Sequence, residues 1–550
     1  MFFIGLSIKC QLPAVVHMKT PLFPHIGPRN YRLFRLLLIR QVRAFERSLI
    51  EPQQAQQSVL GAVLKNVRPT VQGKHFSLSN VRTLEEFRQA VPIQSYRDIE
   101  HWVERVVKGE SQVLTKEKIT GFVETSGTQS KPKLIPVTKS WSTGVRNAQL
   151  LWVLALLRDF PSITERDVFH LVSSAKERRT IGGLPIGANT GRMVDALPKG
   201  FQQRFVLAGV PSIEDVDLRH YVQLRMALQQ PVGMWVTANP STIALYTRKM
   251  KDYRQYLEQD LVQGTLQHGP AENLSPEIRA QLMPKLHPVS TPSIWTPARV
   301  WPLSVIGCWT GGPAKWFVEQ FPSLLGGNIP VRDVGITASE GFFAIPLSSD
   351  WDGGVLWNHG ELLEFQSETG EVYWGWELEV GKCYQLIITA RNGLLRYAMK
   401  DTVRVTGFVQ NTPIIAFVGK SGRFLNAVGE KVTEEQLSLA MQRVATGVIG
   451  FTGTIQQGEV PAIKVLVEWE NEPCDIAFLL DQALQAVSVE YQSKRVSQRL
   501  GMIQIQTVRK GTYAAFRNWR IVEGASFAQV KDCVIATDAE WDFLKQFVVG

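Results

Sequence analysis

The sequence predicts an α/β protein: a large N-terminal α/β domain with a β-rich subdomain, then a small mobile C-terminal α+β domain. Three observations predict it. Strand-like and helix-like patterns alternate from about residue 118 to 345. Short β-like runs separated by turn residues fill 353–420. A second alternation of helix and strand starts after the turn Gly419-Lys420-Ser421-Gly422.

Length agrees, because 550 residues exceed what one hydrophobic core organises and imply two to four domains. The boundaries read as a variable extension over 1–28, a large domain over 29–420 and a small domain over 421–550. Hydrophobic residues make up 44% and charged residues 20%, a globular composition. The net charge of +10 is spread along the chain and suits a protein that handles anions. No dense Lys/Arg stripe interleaved with aromatics is present, so no nucleic-acid partner is expected. The five cysteines are widely spaced with no CxxC, which fits buried thiols in a reducing cytoplasm.

Residues 1–16 are apolar but interrupted by Lys9, Gln11 and Pro13, unlike a secretory signal; Met18 is a second candidate start. The apolar run 150–157 is too short to span a membrane, so no stable insertion is expected. Residues 29–110 read as mainly helical. Within them 29–50 is basic and amphipathic, with Arg32, Arg35, Arg40 and Arg43 among Leu33, Leu36, Leu37 and Ile39. Its favoured reading packs the leucine face on the protein and solvates the arginines; contact with an anionic membrane surface is the alternative. Thr83 reads as a helix N-cap before Leu84, Glu85 and Glu86.

Residues 119–123 form a strand that runs into the turn Thr125-Ser126-Gly127-Thr128. Another strand covers 231–237, and Asn239-Pro240-Ser241 caps a helix through 246–261. In the β-rich part the strands are 353–364, 383–389, 402–409 and 413–418. Beyond a hinge near 419–423 come a helix at 433–445, a strand at 463–469, a helix at 475–490 and a strand near 503–508.

The segment 121–136 concentrates the chemistry. A strand delivers Thr125, Ser126, Gly127, Thr128, Lys131 and Lys133 into one turn. Backbone N–H groups, hydroxyls and lysines in such a turn suit phosphate oxygens. On the bare residues an ordinary turn is the commoner outcome. It is not a Walker A loop, and no HExxH, GxSxG or GxGxxG occurs elsewhere. Read alone, Glu340 is a helix-first-turn carboxylate, Asp401 a turn aspartate before a strand, and Lys531 a surface lysine.

The segment Thr125-Ser-Gly-Thr-Gln-Ser-Lys-Pro-Lys-Leu-Ile-Pro136 resembles the phosphate loop of acyl-adenylate-forming enzymes. It is most similar to that of the Gretchen Hagen 3 (auxin-responsive) acyl acid-amido synthetases and their bacterial relatives. Ile336-Thr-Ala-Ser-Glu-Gly341 and Gly393-Leu-Leu-Arg-Tyr-Ala-Met-Lys-Asp-Thr-Val-Arg-Val-Thr-Gly-Phe408 resemble two further motifs of that family, in its order. The resemblance spans roughly 60–535.

It implies an enzyme that uses ATP and Mg²⁺ to adenylate a small carboxylic acid, then passes the acyl group to an amine, an amino acid in the favoured reading. Thr125, Ser126, Gly127, Thr128 and Lys133 would line the phosphates, and Glu340 would hold Mg²⁺. Thr337, Ala338 and Ser339 would border the adenine and the acyl carboxylate, and Gly311 and Gly312 the adenine. Asp401 would hold the ribose, supported by Arg396 and Tyr397. Lys531 would reach the α-phosphate when the small domain closes. The chain departs from the pattern in having Gln129-Ser130 with no second glycine before Lys131, and Ala398, Met399 and Lys400 where the family has Arg, an apolar residue and Gly. Two alternatives stay open: a thiol acceptor, and a catalytically impaired nucleotide- or acyl-binding protein.

Overall fold

The computed structural model describes residues 22–549 except 126–132, 172–176, 196–198, 313, 421–423, 428–429, 459, 472, 474, 497–498, 524–529 and 531. Residues 29–107 are mainly helical, as the pattern predicts, in six helices that end at Val107. The amphipathic stretch divides into helices Arg29–Leu37 and Ile39–Ile50 because Leu38 leaves helical geometry at φ −101°, ψ 14°. Thr83 caps helix Leu84–Ala90: its hydroxyl accepts the Glu86 N–H, and Glu86 returns a bond to the Thr83 N–H.

Parallel pairing is narrower than the alternation suggests. It organises one four-stranded sheet, ordered Asp167–His170, Val232–Val236, Val305–Cys308 and Val331–Asp333. Strand Val232–Val236 is buried along its whole length, as a parallel strand covered on both faces must be. Asn239 caps the following helix by accepting the Ser241 N–H. The expected single helix is two, Pro240–Asp252 and Arg254–Gln263, because Tyr253 (φ −89°, ψ 5°) interrupts it. A second sheet joins Lys133–Val137, Gly121–Thr125, Pro185–Gly187 and Arg178–Arg179, with mixed directions.

The β-rich segment forms an eight-stranded antiparallel sheet. Its order is Val372–Trp374, Leu362–Gln366, Cys383–Thr389, Tyr397–Val409, Thr412–Lys420, Gly354–Leu356, Gly341–Ile345 and Ile336–Ala338. Short turns between successive strands dictate antiparallel pairing. The C-terminal unit has its own core around Leu437, Met441, Val465, Val467 and Leu480. Strands Val448–Gln456, Ala462–Trp469 and Gln504–Thr507 form its sheet, with helix Glu434–Val444 capped by Thr433 and helix Ile476–Val487 followed by Val489–Val496. Strand Val448–Gln456 and helix Thr512–Val522 were not anticipated. Among the described residues no helix is long and apolar enough to cross a membrane.

Candidate functional site

The hairpin Gly121–Thr125 / Lys133–Val137 closes with Thr125 opposite Lys133. Ser126, Gly127 and Thr128 lie outside the described residues, as does Lys531. The root of the hairpin is well defined. The Tyr96 hydroxyl accepts the Leu134 N–H at 2.9 Å and so fixes the chain just after Lys133. Lys133 Nζ donates to the Tyr397 hydroxyl at 3.1 Å and stands over the rings of Tyr96 and Tyr397, 5.5 and 5.7 Å from their centroids.

Glu340 is not in a helix. Ala338 pairs with Gly341, so Ser339 and Glu340 are the two turn residues of a β-hairpin. Three bonds hold that turn: Ser339 Oγ donates to Glu124 O at 3.2 Å, Asn189 Nδ2 to Ala338 O at 3.2 Å, and Trp141 Nε1 to Glu340 O at 2.7 Å. Thr337 Oγ1 donates to Gly341 O within the same hairpin. The first bond ties the Glu340 turn to the strand that leads into the segment 126–132. Gly341 leaves room for the buried Glu361: a Cβ there would stand 2.6 Å from Glu361 Oε1 and would displace that side chain.

Glu340 itself is only 6% exposed. Burial, with the Glu340 charge among the smaller causes, pushes the Tyr96 hydroxyl up to about 12. Burial, then the charges of Glu340 and Asp401, raises the Tyr397 hydroxyl as well. Lys133, Glu340, Asp401 and two tyrosine hydroxyls therefore share one electrostatic neighbourhood, although the chain places them in four separate elements.

Asp401 lies within strand Tyr397–Val409, opposite Lys420, rather than in a turn before it. The neighbouring strand pairs Gln385 with Thr402 and Ile387 with Ala398, so 399–401 bulge out against a single opposing residue. Lys400, at the crest, has φ +60°, a left-handed conformation that favours glycine. The departure seen in the sequence at Lys400 thus falls where the backbone itself asks for glycine. Gly311 and Gly312 lie against the next strand: a Cβ would stand 2.8 Å from Phe417 O and 2.7 Å from Val418 O respectively. Those carbonyls precede Gly419 and Lys420, the partners of Thr402 and Asp401.

Arg396 is committed elsewhere. Its Nε and Nη2 donate to the two Glu364 carboxylate oxygens at 3.0 Å each, and Nη1 donates to Arg88 O and Val91 O. The side chain ties the strand to the N-terminal helices. At the C-terminal end of the parallel sheet, Thr310 N–H and Oγ1 donate to Asp333 Oδ2 at 2.7 and 2.6 Å. Beside it, Asn239 Nδ2 donates to Val530 O at 2.7 Å, which brings the residue preceding Lys531 to this edge. The crevice at the carboxyl ends of such strands is where open α/β sheets take ligands. Sequence reasoning missed Tyr96, Trp141 and Asp333, which carry no local motif.

Three family models cover most of the chain: the GH3 family N-terminal domain over 41–331, its central domain over 357–420 and its C-terminal domain over 430–540. The chain belongs to the GH3 family. It is 24% identical to an indole-3-acetic acid-amido synthetase, GH3.4, of Arabidopsis thaliana, across 90% of this chain and 91% of that one. A jasmonoyl–L-amino acid synthetase, JAR4, of Nicotiana attenuata is 22% identical over 89% and 92%. The fold matches a solved GH3.15 acyl acid amido synthetase with a TM-score of 0.81 at 20% identity, over 96% and 98% of the two chains. A more distant match is a 2-hydroxyisobutyryl-CoA ligase in the postadenylation state, with a TM-score of 0.54 at 12% identity over 90% and 91%. The architecture of this GH3 chain is that of adenylate-forming enzymes, with a large N-terminal part and a separate C-terminal unit.

Proposed function

We infer that the chain is an ATP-dependent acyl acid-amido synthetase, which activates a small carboxylic acid as its acyl-adenylate and transfers the acyl group to an amine. The observation that carries this reading is the Lys133–Tyr397 bond beside the buried Glu340, in a chain of this family. An amino-acid acceptor accords with the synthetases it resembles, whose names specify indole-3-acetic acid and jasmonoyl–amino acid conjugation.

In the first step a carboxylate oxygen attacks the α-phosphorus of ATP and pyrophosphate leaves with the electrons of the broken P–O bond. In the second, the amine nitrogen attacks the acyl carbon, AMP leaves and the nitrogen loses a proton. The first step brings two anions together, so fixed positive charge and donors must lower the repulsion and align the oxygen. Lys133, with Thr125, Ser126, Gly127 and Thr128, takes the phosphates in this proposal. Thr337, Ala338 and Ser339 border the adenine and the acyl carboxylate, Gly311 and Gly312 the adenine, and Asp401 the ribose. Lys531 serves the α-phosphate, and the unit from 421 onward moves between steps, as a small domain joined near 419–423 can. Arg396 holds the strand that carries Asp401.

Among the described residues no three His, Cys, Asp or Glu side chains cluster as a metal cage. Mg²⁺ needs none, because one carboxylate plus substrate phosphates and water suffices, and the buried Glu340 fits that role. When bound, the ion neutralises phosphate charge. A cytoplasmic setting, with ATP at hand, completes the reading.

The test is acid-dependent exchange of labelled pyrophosphate into ATP over a panel of aryl, indolyl and fatty acids, with Glu340→Ala as control. Exchange that requires an acid and disappears in the control is expected, followed by an amide on adding amino acids. No exchange across the panel in folded protein overturns the reading; a thioester in place of an amide overturns the acceptor.

A further inference from the structure

The helix Arg29–Leu37 presents its leucines the opposite way from the sequence expectation. Its buried residues are Tyr31, Phe34 and Arg35, and the core continues through Leu38, Val42, Phe45 and Leu49. Leu33, Leu36 and Leu37 stay 60%, 64% and 72% exposed, with Ile26 at 88%. The exposed residues from His25 to Arg47 also include Arg29, Arg32, Arg40, Arg43 and Arg47; the one carboxylate of the span, Glu46, is half-buried beside Arg35 and His25. A shallow groove of about 380 Å³ opens there, lined by His25, Arg29, Arg32, Leu33, Arg35 and Leu36. Arg35 is held in its wall by donating to Phe23 O at 2.8 Å.

We propose that this face docks on the surface of an anionic phospholipid bilayer, with Leu33, Leu36 and Leu37 entering the headgroup–acyl boundary and the arginines meeting lipid phosphates. Charge complementarity decides the occupant. Arginine and leucine on one face, with no fully exposed acidic residue among them, match a surface that offers phosphate above hydrocarbon. Arginine stems lie along apolar material while their heads reach phosphate. A nucleic acid would use the arginines but leave the leucines in water. A second copy of the same face would set arginines against arginines. The docking is peripheral, in keeping with the lack of a membrane-crossing helix among the described residues.

This inference is independent of the catalytic reading, since its readout is partition and not turnover. The full chain is mixed with phosphatidylcholine vesicles with and without phosphatidylglycerol, and bound protein is measured by co-sedimentation. Binding is expected to be roughly tenfold or more tighter on the anionic vesicles and to weaken as salt rises. The pairs Arg29→Gln with Arg32→Gln and Leu36→Ser with Leu37→Ser should each lose roughly tenfold. Their melting temperatures should stay within about 2 °C of the parent, as exposed sites allow. Equal binding to neutral and anionic vesicles, or none, overturns the proposal. So does unchanged binding in the leucine pair, which would put the contact elsewhere, residues 1–21 included. Self-association that the substitutions abolish, without vesicle binding, would assign the face to a second copy instead.

Discussion

Lys133 Nζ and the Tyr397 hydroxyl meet at 3.1 Å across 264 residues of sequence. The bond aims the lysine that follows the 126–132 segment at the first residue of the strand bearing Asp401. In the proposed site this sets the phosphate side and the ribose side in one frame.

Tyr397→Phe removes the acceptor and leaves Lys133 to choose among other orientations. A hydrogen bond to a charged group contributes about 1.5–3 kcal/mol. The KM for ATP should rise by roughly tenfold, with a much smaller fall in the exchange rate at saturating ATP. An unchanged KM would mean that the lysine does not face the nucleotide.

Arg396→Met breaks the buried pair with Glu364. Glu364 is fully buried and keeps Arg88, whose Nε also reaches it at 2.8 Å, so the charge is only partly compensated. Loss of one partner of such a pair costs roughly 3 kcal/mol. Denaturant unfolding should show that loss, while KM for ATP in the folded enzyme stays within about twofold. A raised KM at full stability would instead put this guanidinium on the nucleotide.

Lys400→Gly should stabilise the protein. At φ +60° a side chain costs about 1 kcal/mol that glycine avoids. The comparison is with Lys400→Ala, which retains the Cβ. If glycine proves no more stable than alanine, the left-handed backbone at this position is not under strain.

Glu361 ties stability to pH. Burial, opposed by the Arg391 charge, pushes its carboxyl up to about 8. The folded state therefore keeps a proton that the unfolded chain releases near its ordinary value. Between those two values folding binds the proton, so stability is greatest at the acid end and falls as pH rises toward 8. Glu361→Gln should flatten that decline and melt above the parent at pH 8. A parent whose melting temperature shows no downward contribution relative to this variant over that window would refute the assignment.

Asn239→Asp separates two duties of one side chain. The carboxylate still caps helix Pro240–Asp252, but it is buried and faces Val530 O with no proton to donate, so stability should fall by roughly 1–3 kcal/mol. The donor to Val530 O is lost, and amide formation should slow by roughly fivefold if that contact seats Lys531. Equal rates would mean that the contact is dispensable to the reaction.

Much of the scaffold was readable because its determinants are local. The caps at Thr83 and Asn239 depend on residues within three positions of one another, and both are found where the pattern put them. Strands such as Val232–Val236 and Ala462–Trp469 follow from apolar runs bounded by turn residues. Helix breaks at Leu38 and Tyr253 were not readable, since no proline or glycine marks them and packing alone sets them. The Ser339–Glu340 turn looked helical in sequence because a Ser-Glu step suits a helix start; pairing of Ala338 with Gly341 overrides it.

The sequence by itself determined the α/β class, the family and the motif residues, because periodicity, caps and motif spacing act over a few residues. Tertiary structure alone decided how those residues are used. It turned Arg396 onto Glu364, set Lys133 against Tyr397, put Lys400 on a bulge and left Leu33, Leu36 and Leu37 facing outward. Each of these depends on pairing between separate elements, from 32 residues apart for Arg396 and Glu364 to 264 for Lys133 and Tyr397, or on which face of a helix the core claims first, and no local pattern carries that information.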